Sequence, residues 1–457
     1  MVVEGWLARA AAARPQREAV QTPAGGWSYA ELYAAARRGG VELAARGARP
    51  GERVAIALPP GLAFAQALHA CLLLGAVAVP IDVRSPPRER ALLAQGAAVL
   101  LEEPLASAAE GASGRTDAAA GGTRGLEHDL DAIAVVIHTS GTASSPRPIE
   151  LSYGNLLWSA LGSAVALGLD PHERWLCAMP VAHVGGLSIL VRSAIYATTA
   201  VVHERFEADR VLNALREQRI TLVSLVATTL ARLLDRGLIA PPSLRCALTG
   251  GGPVPASLVR RARLEGVPVG LTYGLTEACS QVTTTPAASL ADDGDAAGPP
   301  LFCTRVRIEE QAPAQPGVGE ILLAGPTVAR ASLERDGWLR TGDVGSIDER
   351  GRLHVSGRKA DTIVSGGENV APAEVEAVLE AHPDVLEAAV LPSRDEHWGE
   401  SVMAIVVARP GRVLDGEALR AHCARALARY KVPKRIILAR TPLPRTRSGK
   451  LLRRELR

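Results

Sequence analysis

Short apolar runs alternate with helical patterns along most of this chain, and that alternation constrains the fold more than any other feature. Residues 53–58 and 77–81 have the length and apolar character of buried strands, and residues 62–74 between them have a helical pattern. This alternation predicts a doubly wound α/β architecture, in which ligands bind at the carboxyl ends of the strands. Further strands are predicted at residues 133–137, 222–226, 244–248 and 267–271, and a further helix at 153–167.

The pattern changes after residue 301. A chain of 457 residues is too long for one hydrophobic core, so two or more domains are expected. Short alternating strands, as at 306–308 and 320–323, predict a small β-barrel-like subdomain, and a small α+β unit follows beyond residue 357. We therefore predict a large domain over residues 1–357 and a small C-terminal domain over 358–457. The unit's elements are predicted as helices at 372–381 and 417–427 and strands at 385–391 and 402–407.

Charge and cysteine content exclude several classes of protein. The net charge of +3 argues against a dedicated nucleic-acid binder. The six cysteines form no CxxC pair or zinc spacing, which favours free thiols in a reducing compartment. The first residues lack the apolar core of a secretory signal, and the most apolar run, residues 70–81, is too short to span a bilayer. We expect a cytoplasmic protein without a membrane span.

The first candidate site is a hydroxyl-rich loop, His138-Thr-Ser-Gly-Thr-Ala-Ser-Ser-Pro-Arg147-Pro148, between a buried strand and a helix. Hydroxyls and backbone N–H groups on such a turn can hold phosphate oxygens, and Arg147 adds positive charge. The loop is not a Walker A sequence, because GxxxxGK[ST] is absent. The alternative is a polar loop that binds nothing. A separate stretch, residues 106–125, is low in complexity and typical of a surface linker.

Two further segments follow predicted strands. Gly250-Gly251-Gly252 permits either close backbone approach to a flat ligand or merely a tight turn. Thr272-Tyr-Gly-Leu-Thr-Glu277 places an aromatic ring, a hydroxyl and a carboxylate within six residues. That combination suits a base, a phosphate and Mg²⁺, which prefers carboxylate and phosphate oxygens. A surface turn with an ordinary glutamate is the alternative.

The remaining candidates lie towards the C-terminus. Trp338-Leu-Arg-Thr-Gly-Asp343 is predicted to hold its aspartate in a tight turn, where a carboxylate can accept ribose hydroxyls. Residues 365–376 form a glycine turn running into a helix. Lys450 is one of only four lysines among the 51 lysine and arginine residues. A lysine retained against that bias indicates a site that needs a compact, flexible cation; a chance survivor on a basic tail is the alternative.

Taken together and in this order, these segments resemble the adenylate-forming superfamily of acyl-CoA synthetases, luciferases and adenylation domains. The resemblance runs from Trp27 to Arg454 and is carried by TYGLTE, RTGD, GGENVAPAEVE and SGK. It implies ATP and Mg²⁺ as requirements, CoA as co-substrate, and a mobile C-terminal lid domain that carries the catalytic lysine.

The resemblance also implies a role for each matching residue. It assigns Lys450, Thr276 and Glu277 to catalysis, with Glu277 as the Mg²⁺ ligand, and Lys450 bridging the acid's carboxylate and the phosphate. It assigns Tyr273 to adenine stacking above Gly251 and Gly252, and Asp343, helped by Arg358, to the ribose. The phosphate loop would consist of Thr139, Ser140, Gly141 and Thr142.

Two departures from the family pattern stand out. The phosphate loop usually reads TSGTTGxPKG, and here Ala143, Ser144, Arg147 and Pro148 replace its threonine, glycine, lysine and final glycine. A stiffer loop predicts slower ATP turnover. The hinge position, which usually holds aspartate or lysine, is Ala360. The hinge change affects the details of domain rotation and not the class of activity.

Within the superfamily, the segments at residues 179–188 and 192–196 most resemble the 2-succinylbenzoate–CoA ligases of menaquinone biosynthesis. Their substrate carries two carboxylates, and Arg192 is the candidate for binding the one that does not react, since its fork matches a carboxylate. A surface arginine capping a helix is the alternative. The resemblance places His183 at the junction of the acyl pocket and the thiol tunnel; a structural loop histidine is the alternative. Weaker pocket candidates are Ser188, Ser280 and Gln281.

Other functions stay open at this point. One is an aryl- or fatty-acyl-CoA ligase of another pathway. Another is an adenylation module that loads a carrier protein, or an adenylate-binding protein that has lost catalysis. The partners expected are small molecules, namely a carboxylic acid, ATP and CoA, with no nucleic acid and no membrane; a homodimer is left open.

Overall fold

The computed structural model describes residues 1–105, 127–139, 146–290, 294–310, 316–365, 368–395, 398–446 and 451–456. Several of the predicted features lie outside these ranges: the low-complexity stretch, Ser140–Ser144 of the phosphate loop, the Gly366-Gly367 turn and Lys450. The described residues form two large sheets, a four-stranded sheet, a C-terminal five-stranded sheet and one short strand pair.

The part of the chain before residue 300 contains most of the helices and both large sheets. Its elements in chain order are β1 (Val2–Glu4), α1 (Trp6–Ala13), β2 (Glu18–Thr22), β3 (Gly25–Ser28), α2 (Tyr29–Ala45), β4 (Arg53–Ile56), α3 (Leu62–Leu74), β5 (Val77–Pro80), α4 (Pro87–Leu93), β6 (Val99–Leu101), β7 (Glu127–Asp129), β8 (Ile133–Thr139), β9 (Arg147–Ser152), α5 (Tyr153–Leu167), β10 (Arg174–Cys177), α6 (Val184–Tyr196), β11 (Thr199–Val202), α7 (Ala208–Glu217), β12 (Leu222–Leu225), α8 (Ala227–Asp235), β13 (Cys246–Thr249), α9 (Ala256–Leu264), β14 (Val269–Leu275) and β15 (Ser280–Thr284).

The two large sheets are mainly parallel, as the alternating pattern predicted. The larger runs β15-β14-β13-β12-β10-β11-β2-β3, and the other runs β6-β4-β5-β8-β9. Helix α3 contacts β2 of the first sheet and β4 and β5 of the second, so it is packed between them. That position explains why its sequence is apolar on every face. The predicted α/β fold class is confirmed.

Most predicted elements appear with small shifts at their ends, but one segment differs. Residues 147–152, expected in a polar loop, form β9, which pairs antiparallel with β8. Ile149 and Leu151 alternate into the core, while Arg147 and Pro148 are exposed. A proline is tolerated there because β9 is the edge strand of its sheet.

The β-rich segment after residue 301 is a four-stranded antiparallel sheet in sequential order. It corresponds to the predicted β-barrel-like subdomain. Its strands are β16 (Arg305–Glu310), β17 (Val318–Ala324), β18 (Leu339–Ile347) and β19 (Leu353–Arg358). The predicted domain boundary falls at the end of β19, and it stays a prediction.

The C-terminal part has its own sheet and its own apolar core. Its elements are β20 (Ile363–Ser365), β21 (Glu368–Val370), α10 (Pro372–Glu380), β22 (Val385–Asp395), β23 (Gly399–Ala408), α11 (Gly416–Ala426) and β24 (Arg435–Ala439). The strands run β21-β20-β23-β22, and β24 pairs with β23 in parallel. Pro372 lies in the first turn of α10, where its missing N–H leaves no hydrogen bond unmade.

The state of the cysteines and the character of the helices can be compared with the expectations from composition. All six cysteines are buried and free. Among the helices that the structure describes, none combines the length and the apolar character needed to cross a bilayer.

Candidate active site

The predicted site segments follow the carboxyl ends of four strands. The hydroxyl-rich loop begins at the end of β8, His183 follows β10, the glycine turn follows β13, and Thr276 follows β14. Strands β10, β12, β13 and β14 are consecutive and parallel, so their carboxyl ends lie along one edge. Strand β9 also contacts the 3₁₀ turn Thr276–Ala278, which brings the phosphate-loop strands to the same edge.

The glycine turn packs tightly against the next strand. A Cβ atom on Gly250 would lie 2.5 Å from the carbonyl oxygen of Thr272, so only glycine permits this approach. Gly251 has a φ of +78°, which favours glycine, and a Cβ atom on Gly252 would meet open space. The turn is therefore packed against the strand that carries Tyr273 at Gly250 and has open space at Gly252.

Tyr273 and Asp343 join the large sheet to the four-stranded sheet. The Tyr273 hydroxyl donates a hydrogen bond of 2.7 Å to Asp343 Oδ2. The other carboxylate oxygen lies 2.8 Å from Arg358 Nε, which faces it across the β18–β19 pair. Burial, and then the negative charge of Asp343, raise the pKa of Tyr273 well above its ordinary value, so the phenol stays protonated.

The setting of Asp343 differs from the prediction. Asp343 lies within strand β18 and not in a tight turn. The preceding residue, Gly342, has a φ of +70°, and its N–H donates to Glu320 Oε1 at 3.2 Å. The positive φ of Gly342 thus lies inside a paired strand, and sheet pairing, not a turn, fixes the position of the carboxylate.

Thr276 and Glu277 form a 3₁₀ turn between β14 and β15. Both are half-buried, and the carbonyl of Glu277 accepts a hydrogen bond of 2.7 Å from Ala329 N–H. Cys279 and Ser280, directly after it, both have positive φ, at 54° and 92°. Non-glycine residues seldom adopt such angles, and they cluster at ligand sites.

Glycine is required where this turn closes. A Cβ atom on Gly274 would lie 1.8 Å from the carbonyl oxygen of Ser280. The turn that carries Thr276 and Glu277 is thus held against β14 at a distance that no side chain allows. A half-buried carboxylate beside a hydroxyl on such a fixed turn fits a Mg²⁺ ligand next to phosphate.

Only the first residue of the predicted phosphate loop is described. The Thr139 hydroxyl donates to the carbonyl of Arg147 at 3.3 Å across the β8–β9 pair. Ser140, Gly141 and Thr142 lie outside the described residues, as do Ala143 and Ser144. Their roles therefore remain predictions.

Arg192 lies in α6 and is 2% exposed, so the alternative of a surface helix cap is wrong. Its Nη1 donates to Gln281 Oε1 at 2.7 Å and its Nη2 to Ser159 Oγ at 2.9 Å. The guanidinium lies over the Trp175 ring, 5.6 Å from the centroid. Among the described residues it has no carboxylate partner, and its Nε has no hydrogen-bond partner. Burial lowers its pKa.

Of the other acyl-pocket candidates, two lie at the start of α6 and two at the start of β15. His183 is half-buried at the N-cap of α6. Ser188 is buried and its hydroxyl donates to the carbonyl of Gly185 at 3.1 Å, one turn before Arg192 on the same face. Ser280 is half-buried, and Gln281 is a partner of Arg192 rather than a free pocket group.

Glu320 is a buried polar residue near the site that was not predicted from the sequence. This buried glutamate of β17 accepts from the N–H of Gly342 and from Lys359 Nζ, at 3.2 and 3.1 Å. It links the strand that carries Asp343 to the residue next to the predicted hinge, Ala360. An acidic residue in an alternating strand is typical of a solvent-facing position, and its burial depends on two distant partners that no local pattern shows.

Comparison with known families gives two matches that together span most of the chain. The AMP-binding enzyme family model matches residues 7–333, and the AMP-binding enzyme C-terminal domain matches residues 374–450. Curated relatives include the 2-succinylbenzoate–CoA ligase of Bacillus subtilis, 38% identical over 99% of this chain and 97% of the relative. The protein of the same name from Geobacillus kaustophilus is 39% identical, with the same coverage of both chains.

Solved structures give the same picture. The o-succinylbenzoate CoA synthetase of Bacillus subtilis with its acyl-adenylate intermediate has a TM-score of 0.88 and 36% identity, covering 100% of this chain and 98% of that one. The same enzyme with ATP and magnesium ion has a TM-score of 0.87 at 35% identity, with 100% of both chains covered. ATP-bound MatB of Rhodopseudomonas palustris has a TM-score of 0.87 at 27% identity, covering 100% of this chain and 98% of that one.

Proposed function

The chain belongs to the family of AMP-binding enzymes, and from that premise we propose that it is a 2-succinylbenzoate–CoA ligase of menaquinone biosynthesis. In the first step a carboxylate oxygen of the acid bonds to the α-phosphorus of ATP and pyrophosphate leaves. In the second step the sulfur of CoA bonds to the acyl carbon, AMP leaves, and the thiol proton passes to a base or water. The products are 2-succinylbenzoyl-CoA, AMP and pyrophosphate.

The buried guanidinium of Arg192 is the observation that carries the choice of acid. A charge removed from water without a counter-ion is unfavourable, by several kcal/mol as an order of magnitude. Arg192 has only neutral partners among the described residues, and Nε–H plus one N–H on each Nη stay free to donate. A carboxylate that does not react would satisfy these donors. A dicarboxylic acid therefore fits this site better than a benzoate or a fatty acid.

The nucleotide would lie along the edge formed by the glycine turn, Tyr273 and Asp343. The backbone of Gly251 and the open space at Gly252 would suit one face of the adenine ring, with the Tyr273 ring on its other face. The hydrogen bond from Tyr273 and the ion pair with Arg358 fix both oxygens of Asp343 before any ribose binds. Such pre-orientation lowers the entropy lost on binding.

In the first step two anions must approach each other. Lys450 would bring positive charge to the acid's carboxylate and the α-phosphate, and Thr276 would donate its hydroxyl to that phosphate. Thr139 and the loop after it would hold the pyrophosphate part. Glu277 would hold Mg²⁺, which supplies charge neutralisation on the phosphates. The rigid turn after β14 keeps Thr276 and Glu277 in a fixed relation to the nucleotide.

The second step uses a different face of the C-terminal part. We propose that residues 358–457 rotate about Ala360 and exchange Lys450 for the Gly366-Gly367 turn, which opens a path for the thiol beside His183. The large part, residues 1–357, keeps the adenylate bound throughout. The proposed division into residues 1–357 and 358–457 is based on the chain's likeness to the family.

The function is tested by pyrophosphate release with ATP, Mg²⁺ and CoA, comparing 2-succinylbenzoate with benzoate and a medium-chain fatty acid. We expect kcat/KM for 2-succinylbenzoate to exceed that for either competitor by at least about 100-fold, the order expected when a site's buried polar groups would otherwise stay unpaired. Formation of the CoA thioester confirms the second step. Preference for another acid contradicts the proposal, and transfer only to a phosphopantetheinyl protein would identify a carrier-loading module instead.

A further inference from the structure

The partners of Arg192 connect the acid site to the turn that carries Thr276 and Glu277. Ser159 Oγ accepts from Arg192 Nη2 at 2.9 Å and donates to the carbonyl oxygen of Cys279 at 2.6 Å. Gln281, the other partner of Arg192, lies two residues further along the chain. One guanidinium therefore holds the chain on both sides of Ser280, and every polar group in this set is buried.

The segment held in this way is the strained one. Cys279 and Ser280 both have positive φ, and conformations of this kind persist only where surrounding contacts fix them. Within the described residues, the hydroxyl of Ser159 is the side-chain group that binds the Cys279 carbonyl. The strain lies two residues after Glu277, so a change in these contacts acts directly on the position of Thr276 and Glu277.

Ser159 is suited to pass on a change at Arg192. A hydroxyl has one proton to donate, and here that proton goes to Cys279 while the oxygen accepts from a cation, which strengthens both hydrogen bonds. A carboxylate at the free N–H groups of Arg192 would neutralise its charge and fix its guanidinium in place. The two partners of Arg192 would then also be fixed in place, and through them the strained turn at Cys279 and Ser280.

From this connectivity we propose that Ser159 is a positioning residue that couples binding of the acid at Arg192 to binding of MgATP at the Thr276–Glu277 turn. This inference rests on the proposed function, since it takes a second carboxylate on the acid as the ligand of Arg192. The coupling is positive: each ligand raises the affinity for the other by the same factor. An acid without the second carboxylate binds without this effect, so the device selects the substrate before chemistry.

The test is calorimetric titration of the full-length protein with α,β-methylene-ATP and Mg²⁺, with and without saturating 2-succinylbenzoate. The methylene bridge blocks adenylation, so the affinities are equilibrium values and not rates. We expect the acid to tighten nucleotide binding by about 10-fold, within the usual range for coupled sites. 4-Oxo-4-phenylbutanoate, which lacks the ring carboxylate, is expected to change it by less than about 2-fold.

Substitutions at Ser159 and Ser163 test whether the coupling depends on Ser159. Ser159→Ala is expected to reduce the 10-fold effect to below about 2-fold, while Ser159→Cys, which retains a weak donor of similar size, keeps part of it. Ser163→Ala is the matched control, since Ser163 is equally buried one turn later on α5 and is expected to retain full coupling. A merely structural role for Ser159 would weaken both ligands equally and leave their coupling intact.

The outcomes separate this inference from the proposed function. If the unmodified protein binds both ligands and turns over 2-succinylbenzoate without coupling, the positioning role is wrong and the function stands. If Ser159→Ala keeps the full coupling, the role of Ser159 is likewise wrong. If 2-succinylbenzoate neither binds nor reacts while another acid does, both fall together.

Discussion

The Tyr273 hydroxyl lies 2.7 Å from Asp343 Oδ2, and this hydrogen bond joins β14 of the eight-stranded sheet to β18 of the four-stranded sheet. The two residues are 70 positions apart in sequence. The groups proposed to bind adenine and ribose thus fix each other's position before any nucleotide is bound. Neither residue could be moved without disturbing the other.

Removing this hydrogen bond tests its part in nucleotide binding. Tyr273→Phe keeps the ring but frees Asp343 Oδ2, and hydrogen bonds to charged groups contribute about 1.5–3 kcal/mol. We expect the KM for ATP to rise about 10-fold, with kcat within about 2-fold, in pyrophosphate-release assays at saturating acid. Tyr33→Phe serves as the control, because Tyr33 is a half-buried tyrosine whose ring lies beneath Arg37. An unchanged KM for ATP would separate the pair from nucleotide binding.

Removing the charge of Arg192 should weaken acid binding far more than it lowers stability. Arg192→Met keeps most of the volume and removes a buried cation that lacks a counter-ion. The relief of that burial, several kcal/mol as an order of magnitude, offsets the two lost hydrogen bonds of a charged group, about 1.5–3 kcal/mol each, so the thermal midpoint should fall by less than about 3 °C. The KM for 2-succinylbenzoate should rise about 100-fold, because a charge-assisted pair is lost.

The control for this variant is a second acid. With 4-oxo-4-phenylbutanoate, which has no carboxylate for Arg192, the loss of kcat/KM should be at least about 10-fold smaller than with 2-succinylbenzoate, because only the contacts with Ser159 and Gln281 are lost. A large loss of thermal stability together with an unchanged KM for 2-succinylbenzoate would place Arg192 in the structural core alone.

Much of the site could be predicted from sequence because its residues lie in short contiguous segments at strand ends. Gly250–Gly252 follows a strand that periodicity locates, and Thr272–Glu277 covers the end of another strand and the start of the turn after it; each carries its chemistry within a few residues. Arg192 could be named as a candidate carboxylate ligand from its chemistry and its place in a motif. The burial that makes it unusual depends on α5, α6, β10 and β15 meeting around it.

The relationships that sequence did not predict are all long-range. The partners of Arg192 lie 33 and 89 positions away, and those of Glu320 lie in β18 and beyond β19. Strand β9 was missed for a different reason: Pro148 and a run of polar residues argue against a strand, and only its place at a sheet edge makes them compatible. Position in a sheet is not a local property.

Glu320 allows its two contacts to be tested separately. Glu320→Gln keeps an oxygen for the N–H of Gly342 but loses the ion pair with Lys359, while Glu320→Ala loses both. If the contact with Gly342 positions Asp343, the KM for ATP should change less than about 3-fold in the first variant and rise about 10-fold in the second, the order of one unsatisfied buried hydrogen bond. Equal effects of the two substitutions would show that the charge of Lys359 is what matters.

Lys450 is expected to act in only one of the two steps. Lys450→Met should slow formation of the acyl-adenylate at least about 100-fold, since a charge aimed at the transition state is lost. Conversion of chemically prepared 2-succinylbenzoyl-adenylate to the thioester should stay within about 3-fold of the parent. Lys434→Met, another lysine of the C-terminal part, paired with Asp395 at 2.8 Å, is the control. Equal loss in both steps would contradict a role confined to adenylation.

The C-terminal part should be less stable at neutral and alkaline pH than in acid because of Glu380. Burial raises the pKa of this α10 carboxyl to about 7, and the neighbouring charge of Glu376 acts in the same direction, while the N–H of Ala388 and Arg445 oppose it. Because the folded pKa lies above the unfolded value of 4.5, the folded state binds more protons between these two values. Stability therefore falls as the pH rises from about 4.5 to about 7 and stays at the lower level above that.

Glu380→Gln resembles the protonated form and keeps an oxygen for Ala388 N–H. The variant should match the parent at pH 5 and exceed it at pH 8 by on the order of 1–3 kcal/mol, which thermal unfolding at both pH values would measure. Glu349→Gln, at an exposed position in the turn after β18, should leave both midpoints unchanged. An equal gain at both pH values would mean that packing, and not ionisation, distinguishes the amide. A gain confined to pH 8 would identify Glu380 as a carboxyl whose protonated form the fold of this part favours.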